Sequence, residues 1–419
     1  MVLEIKLSNF FSIGEEVILD LRAGKINTAK SRLLSDNIFQ FKDTEVLKTA
    51  AIYGANASGK SNLIKAIRFC IAMVCQSHNH NEDSVFNFVP FKFGSFRKQA
   101  STFSIRFVHE AIEYEYSFSL TQTEILTESL YHYPHGRRAK VFARDESAGD
   151  SKKEKYSVGI SVIRRPLDVA ESTSRKTLFV SRASQMDREI PKRIFRFFSQ
   201  SVIGGNPSYS IADISKLINL YKAPLLKALQ MADSDIIDFK QKVKAEKGKN
   251  IRANMETQEA FFEDAIFASI EIKTYHRYAS KVPFDFMTEE SKGTKQLFFL
   301  MLIVLDVLKN NKTIFLDEIE DSLHPKIIDY LIKLFHASPG AQLIFSTHNT
   351  NLLDLNKFRK DQIWFVNKTD RGNSDLYSLY DYADFRDTMD LEKAYLQGRF
   401  DSIPIIDDSA NSIQSIILS

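Results

Sequence analysis

The chain has 419 residues, 44% hydrophobic and 26% charged, with a net charge of +3. These are the values of a soluble globular protein long enough for a large core and two subdomains. The charge is too mild to argue for nucleic acid, so any basic groove has to be local. The longest apolar stretch, residues 297–305, falls well short of the ~20 residues that span a membrane, and the N-terminus carries no signal-peptide pattern. Cys70 and Cys75 are five residues apart on one expected helix and point to different faces, so no disulfide is expected. A soluble, cytoplasmic chain is expected.

Residues 2–7 and 17–21 alternate like two paired strands around a turn at Gly14, and residues 22–48 read as loop with a short helix. Thr49-Ala50-Ala51-Ile52-Tyr53 is a short apolar strand. It runs into Gly54-Ala55-Asn56-Ala57-Ser58-Gly59-Lys60-Ser61, which fits G-x-x-x-x-G-K-[ST], the phosphate-binding P-loop. The chemistry needs that spacing. Glycines let successive backbone N–H groups wrap a phosphate, Lys60 reaches the β- and γ-phosphates, and the Ser61 hydroxyl can ligate Mg²⁺. Leu63, Ile67, Ile71 and Val74 then recur at helical spacing, so the motif leaves a strand and opens a helix. A nucleotide site centred on Gly54, Asn56, Ser58, Gly59, Lys60 and Ser61 is expected.

After a polar loop at 76–84, residues 101–163 turn to period two, as in Phe103, Ile105, Phe107 and in Tyr114, Tyr116, Phe118, which predicts an antiparallel β subdomain. From 187 to 270 the spacing reads as helical. Ile190, Ile194 and Phe198 share a face, 224–247 is a long amphipathic stretch ending in a basic run broken by Gly248, and 261–270 is a further helical or mixed segment. No heptads are sustained, so a long coiled-coil arm is not supported. Past residue 270, Ser291 opens a helix apolar nearly all round, Thr313-Ile314-Phe315-Leu316 is a central-type strand, Pro325 begins a helix, and 342–345 and 362–366 are further strands.

Three features here narrow the chemistry. The strand 313–316 ends in Asp317-Glu318. Asp317 can hold the hydration shell of Mg²⁺, and Glu318 can orient or deprotonate an attacking water. Phe345-Ser346-Thr347-His348 again ends a strand in a polar group, and His348 can hydrogen-bond a γ-phosphate. Ser291-Lys292-Gly293-Thr294 starts the buried helix, where backbone N–H groups and the helix dipole favour an anion; the plainer reading is an N-cap at Ser291.

In the order P-loop, long insert, Ser-x-Gly helix start, Asp-Glu strand and Thr-His strand, the chain resembles the ABC-class ATPases of the RecF, SMC and Rad50 type. It is similar, more narrowly, to stand-alone ATPases of bacterial phage-defence operons, the Rlo-, AbiL- and PARIS-type. Leu7-Ser8-Asn9-Phe10, Asp317-Glu318-Ile319-Glu320-Asp321-Ser322-Leu323-His324-Pro325 and residues 391–404, with Tyr395-Leu396-Gln397-Gly398-Arg399-Phe400, carry the narrower likeness. The resemblance implies an α/β P-loop fold of the ABC ATPase head type, with core segments 1–75 and 271–419, a β-rich subdomain 76–186 and a helical insert 187–270. It implies ATP and Mg²⁺ as ligands, with Glu318, His348 and Lys60 catalytic and Ser61 and Asp317 at the metal. It also implies a head-to-tail homodimer with ATP sandwiched against Ser291 and Gly293 of the partner, or a higher oligomer built on that pairing. Ser291-Lys292-Gly293-Thr294 lacks the second glycine of the usual signature, and His324 stands where an aspartate is common. Gln99 is the candidate for the glutamine that couples nucleotide to the insert.

The function this implies is an ATPase that senses or regulates an effector, a Toprim-type nuclease or a toxin encoded nearby, in antiphage defence. The alternative is a RecF-like ATPase that clamps DNA, and a third reading is a nucleotide-binding scaffold without turnover, against which Glu318 argues. No second acidic constellation suits two metals, so nucleic-acid cutting is expected to fall to another protein. His78-Asn79-His80, His132 and His135 read as loop and turn residues. Arg137, Arg138, Lys140, Arg164, Arg165 and the run at 242–249 read first as solvated faces and second as phosphate contacts. The 33 phenylalanines fall at strand and helix periods and so indicate core.

Overall fold

The computed structural model describes all residues except 160–161, 206–208, 233, 255–258, 405–406, 408, 410–413 and 418–419, and the side chains of 247–267 are likewise outside it. The chain forms two compact units. The first comprises 1–205, 311–319 and 332–419, and the second 206–310 and 320–331.

The first unit is built on two sheets. One has six strands in the order Val202–Gly204, Thr313–Leu316, Gln342–Ser346, Thr49–Gly54, Ile363–Lys368 and Ser374–Ser378. All neighbours are parallel except the last pair. The central strands are buried on both faces, which is why they read as unbroken apolar runs rather than alternating ones. The other is a seven-stranded antiparallel sheet, in which Val2–Ser8 pairs with both Val17–Asp20 and Ser101–His109 and four more strands follow, from Ile112–Leu120 to Tyr156–Val158.

The helix Lys60–Gln76 follows the P-loop and buries Leu63, Ile67, Phe69, Cys70 and Val74 in one core with Ile52, Phe315 and Ile344 of the parallel sheet and Phe103, Tyr116 and Phe118 of the antiparallel one. Phe69 lies 5.3 Å from Phe103 and 5.1 Å from Phe88, ring centre to ring centre. Burial of this helix also raises both thiols, Cys75 to about 12 and Cys70 likewise upward, and neither cysteine is bridged.

Two fully buried glutamines lock the sheets in register. Gln342 donates to the carbonyls of Val2 (3.0 Å) and Leu47 (3.0 Å), and accepts from Val2 N (2.6 Å) and Thr313 Oγ1 (2.9 Å). Gln362 likewise donates to Thr49 and accepts from Asn37 and Arg359. Removing such a group strands its partners without water. Gln342→Met is therefore expected to lower stability by about 3 kcal/mol, read as a fall in the denaturant midpoint with the slope unchanged. An unaltered midpoint would contradict this role.

The second unit holds the helix Ile211–Met231, a three-stranded antiparallel sheet (Ile236–Asn254, Glu259–His276 and Ala279–Asp285) and the helix Lys292–Lys309. Phe298 of that helix packs at 5.1 Å from Phe239 and 4.7 Å from Phe286.

Three expectations are corrected. Ile236–Asn254 and Glu259–His276 are strands rather than helix, and the first runs through Gly248. A bulge between Ile236 and Asp238 places Ile236 and Phe239, three residues apart, both in the buried layer, and that spacing imitates a helix turn. Pro224 lies inside the helix Ile211–Met231 rather than starting one. The β strands of 101–158 do form, but they share a sheet with residues 2–20, so no domain boundary falls at 75/76. The short hairpin Ile38–Phe41 with Thr44–Leu47, inside the expected loop, was not foreseen.

Candidate phosphate-binding site

Because the strands ending at Leu316, Ser346 and Gly54 are adjacent and parallel, their C-terminal ends open on one edge. That edge is where open α/β sheets bind ligands. The P-loop, Asp317-Glu318 and His348, far apart in sequence, are brought together there. Asn56, Ala57, Gly59, Lys60, Ser61, Asn62, Lys65, Glu318 and His348 line an open depression of about 670 Å³.

The two motif glycines are required by packing. A Cβ on Gly54 would stand 2.5 Å from the Val366 carbonyl oxygen. Gly59 has φ +117°, and a Cβ there would stand 2.1 Å from Ser374 Oγ and 2.7 Å from Ser12 Oγ. Both a left-handed backbone and a steric clash oppose any side chain. Gly59→Ala is expected to cost about 3 kcal/mol and to weaken nucleotide binding at least tenfold. Thermal melting and a fluorescent-nucleotide titration check this, and wild-type values in both would contradict it. The Lys60 ammonium is nearly buried inside the loop and donates to the carbonyls of Gly54 (2.8 Å) and Ala55 (3.0 Å). Ser58 Oγ is buried with no hydrogen-bond partner.

Glu318 sits at φ +49°, in the left-handed region. Its neighbour strand holds it there: Ser346 Oγ accepts from Glu318 N at 2.8 Å and donates to Asp317 Oδ1 at 2.5 Å, and Ile319 N donates to the Ser346 carbonyl at 3.1 Å. One hydroxyl thus fixes both acids. The His348 loop is fixed in turn on the P-loop strand, with Thr347 N donating to the Ile52 carbonyl (3.1 Å) and Tyr53 OH to that of Asn349 (3.4 Å). Asp317, Glu318 and His348 are all exposed at this edge.

Several contributors were not foreseen. Ser374 Oγ donates to the Ser58 carbonyl and bonds Ser12 Oγ at 2.7 Å, and Asn62 Nδ2 donates to Ser12 Oγ at 2.7 Å, so three polar residues brace the P-loop from below. Ser12 and Ser374 are 362 positions apart and carry no local signal. Ser346 had one, as a polar residue closing the apolar run Leu343-Ile344-Phe345. Asn9 of Leu7-Ser8-Asn9-Phe10 is buried, donating to the Phe96 and Gln99 carbonyls (both 2.8 Å) and accepting from Phe91 N (2.9 Å). It thereby fixes the segment before the Ser101–His109 strand. Gln99 itself is exposed, bonds Ser95, and is not among the residues lining the depression.

Ser291 and Gly293 belong to the second unit. There Ser291 Oγ caps the helix Lys292–Lys309 by accepting from Thr294 N at 3.0 Å, the plainer of the two readings in geometry. His324 Nδ1 accepts from Lys326 N at 3.2 Å at the start of the helix Pro325–His336. Tyr395 and Phe400 pack on Phe365 at 5.9 Å and 4.7 Å, so these two aromatic residues of the motif are core, while Leu396, Gln397 and Arg399 are exposed. His78 bonds Ser181 and His80 the Lys176 carbonyl, while Arg138 pairs with Glu115 and stacks over Tyr131. Of the basic run, Lys242 and Lys244 are exposed, and Lys247 and Lys249 lie outside the described side chains. Among the described residues no helix is long and apolar enough to cross a membrane.

A comparison with curated proteins finds no match. Among solved structures, the chain is similar to the SMC head domain from Thermotoga maritima, at 15% identity over 90% of this chain and 98% of that one, with a TM-score of 0.39. It is also similar to the Smc head domain with a coiled coil and joint from Pyrococcus yayanosii, at 14% identity over 94% and 98%, with a TM-score of 0.41. Scores this low leave the fold to rest on the sheet order and the P-loop described above. Residues 50–354, which run from the P-loop strand past the His348 loop, match the family described as "AAA domain, putative AbiEii toxin, Type IV TA system". That span holds the P-loop, the acidic pair and the histidine strand in one sheet, and the chain belongs to this AAA-domain family.

Proposed function

We propose that the protein binds ATP with Mg²⁺ and hydrolyses it slowly between two copies of the chain, using the bound state to control an effector in antiphage defence. The observation that supports this most is the convergence of the P-loop, the Asp317-Glu318 pair and His348 on one sheet edge, around one open depression. The glycine cradle, the buried Lys60 and the Ser58 hydroxyl suit a phosphate chain, and Mg²⁺ needs only one or two protein oxygens beside phosphate and water.

Mg²⁺ when bound neutralises charge on the phosphates. Ser61 and Asp317 would hold it, and Lys60 would hold the β- and γ-phosphates. Glu318, held by Ser346, would take the proton of the attacking water, and His348 would hydrogen-bond the γ-phosphate oxygens. Ser291 and Gly293 of a second copy would meet the same phosphates, making closure of the dimer depend on ATP, a population shift between open and closed states. The effector would be a nuclease or toxin.

The experiment is a phage-plating assay on cells carrying the gene with its neighbours. Wild type should protect and Lys60→Ala should not; equal protection by both would overturn the reading. A DNA clamp is the second reading. Exposed Lys240, Lys242 and Lys244 on one face of a strand favour it, although Asp238 and Glu246 share that face and Lys244 pairs with Glu271. DNA binding that strengthens with ATP and weakens with salt would decide for it.

A further inference from the structure

The residue before Ser291 is held by the sheet of the second unit. Glu290, whose side chain is only 8% exposed, accepts from Thr274 Oγ1 at 2.5 Å and from His276 Nε2 at 2.8 Å. The other ring nitrogen of His276 meets Asp235 Oδ1 at 2.8 Å, and its ring lies edge-on to Phe284 at 4.7 Å. An imidazole with a carboxylate on each nitrogen donates twice and is therefore charged. Burial works against that charge, but the hydrogen bonds to Asp235 and Glu290 outweigh it and raise the histidine above its ordinary range.

His276 thus ties three points of the chain: the start of the first strand, through Asp235; the end of the second strand, on which it lies; and Glu290, the last fixed residue before the turn. On the far side of that turn, Lys295 Nζ donates back to the Met287 carbonyl at 2.9 Å. The turn itself has little freedom, since Ser291 caps Thr294 and the position of a Cβ on Gly293 lies 3.3 Å from the Ser322 carbonyl oxygen. Its placement therefore follows that of Glu290.

We propose that His276, with Thr274, is the positioning residue of the Ser291–Gly293 turn: by clamping Glu290 it sets the turn in place and makes ATP turnover depend on the root of the strand pair Ile236–Asn254 and Glu259–His276. This rests on the reading of Ser291 and Gly293 as the turn that meets the partner's ATP. A clamp of this kind acts on assembly of the composite site and leaves ATP binding by the P-loop alone.

The test is steady-state ATPase activity of the full chain, with ATP affinity measured separately by a fluorescent analogue, for His276→Ala, Thr274→Val and the control Ser291→Arg. His276→Ala should lower kcat at least about tenfold with affinity within about twofold, and Thr274→Val should give a smaller loss of the same kind. A purely structural role would lower affinity and melting temperature together and would not produce that split. If Ser291→Arg abolishes turnover while both clamp variants turn over normally, the clamp is overturned and the reading of the turn stands. If Ser291→Arg turns over normally, the reading fails and the clamp with it. Should His276→Ala not fold, Thr274→Val decides, and an unchanged kcat there overturns the proposal.

Discussion

Lys60→Ala is expected to lower ATP turnover by two to three orders of magnitude or more and to weaken nucleotide binding in parallel. The ammonium is the one charge inside the loop, held against the Gly54 and Ala55 carbonyls. The other ammonium that lines the depression, Lys65, is exposed on the following helix, and the remaining donors of the loop are neutral N–H groups and hydroxyls. Phosphate release and calorimetric titration with ATP check this. Wild-type turnover in the variant would remove the P-loop from the mechanism.

Glu318→Gln should separate binding from chemistry. The amide keeps the size of the carboxylate and adopts the left-handed backbone at φ +49° no less readily, and Ser346 still accepts from the backbone N–H of residue 318. What it loses is the capacity to take a proton. Turnover should therefore fall by about 10²–10⁴-fold with ATP affinity within a few-fold of wild type, the signature of an interaction made in the transition state. Removing Asp317 instead would disturb the Mg²⁺ dependence as well. An equal loss of binding and turnover in Glu318→Gln would assign the residue to substrate binding rather than to the chemistry.

The parts of the site that were legible in the sequence are those with local signatures. Gly54, Gly59, Lys60 and Ser61 follow a strand and open a helix within a few residues, and Asp317-Glu318 and His348 each end a strand too apolar to be anything but central. The sheet order that gathers them is a non-local fact, carried by pairings such as Ser346 with Ile52. The bracing under Gly59 was illegible for the same reason, as Ser12 and Ser374 are neighbours only after folding. The strand pair beginning at Ile236 was misread because a single bulge converts a two-residue repeat into a three-residue one. The charges that follow, Asp238, Lys240, Lys242, Lys244 and Glu246, do recur at every second residue, a strand period that was legible in the sequence. Glu290, unremarkable as a lone acid, gains its place only from Thr274 and His276 across a folded sheet.

The central claim is that ATP is held between two copies of this chain. Light scattering of Glu318→Gln with ATP and Mg²⁺, with ADP, and without nucleotide tests it most directly. A mass that doubles, or rises further, only with ATP is the predicted result. A monomer under all three conditions would contradict the composite site and take the roles of Ser291 and Gly293 with it.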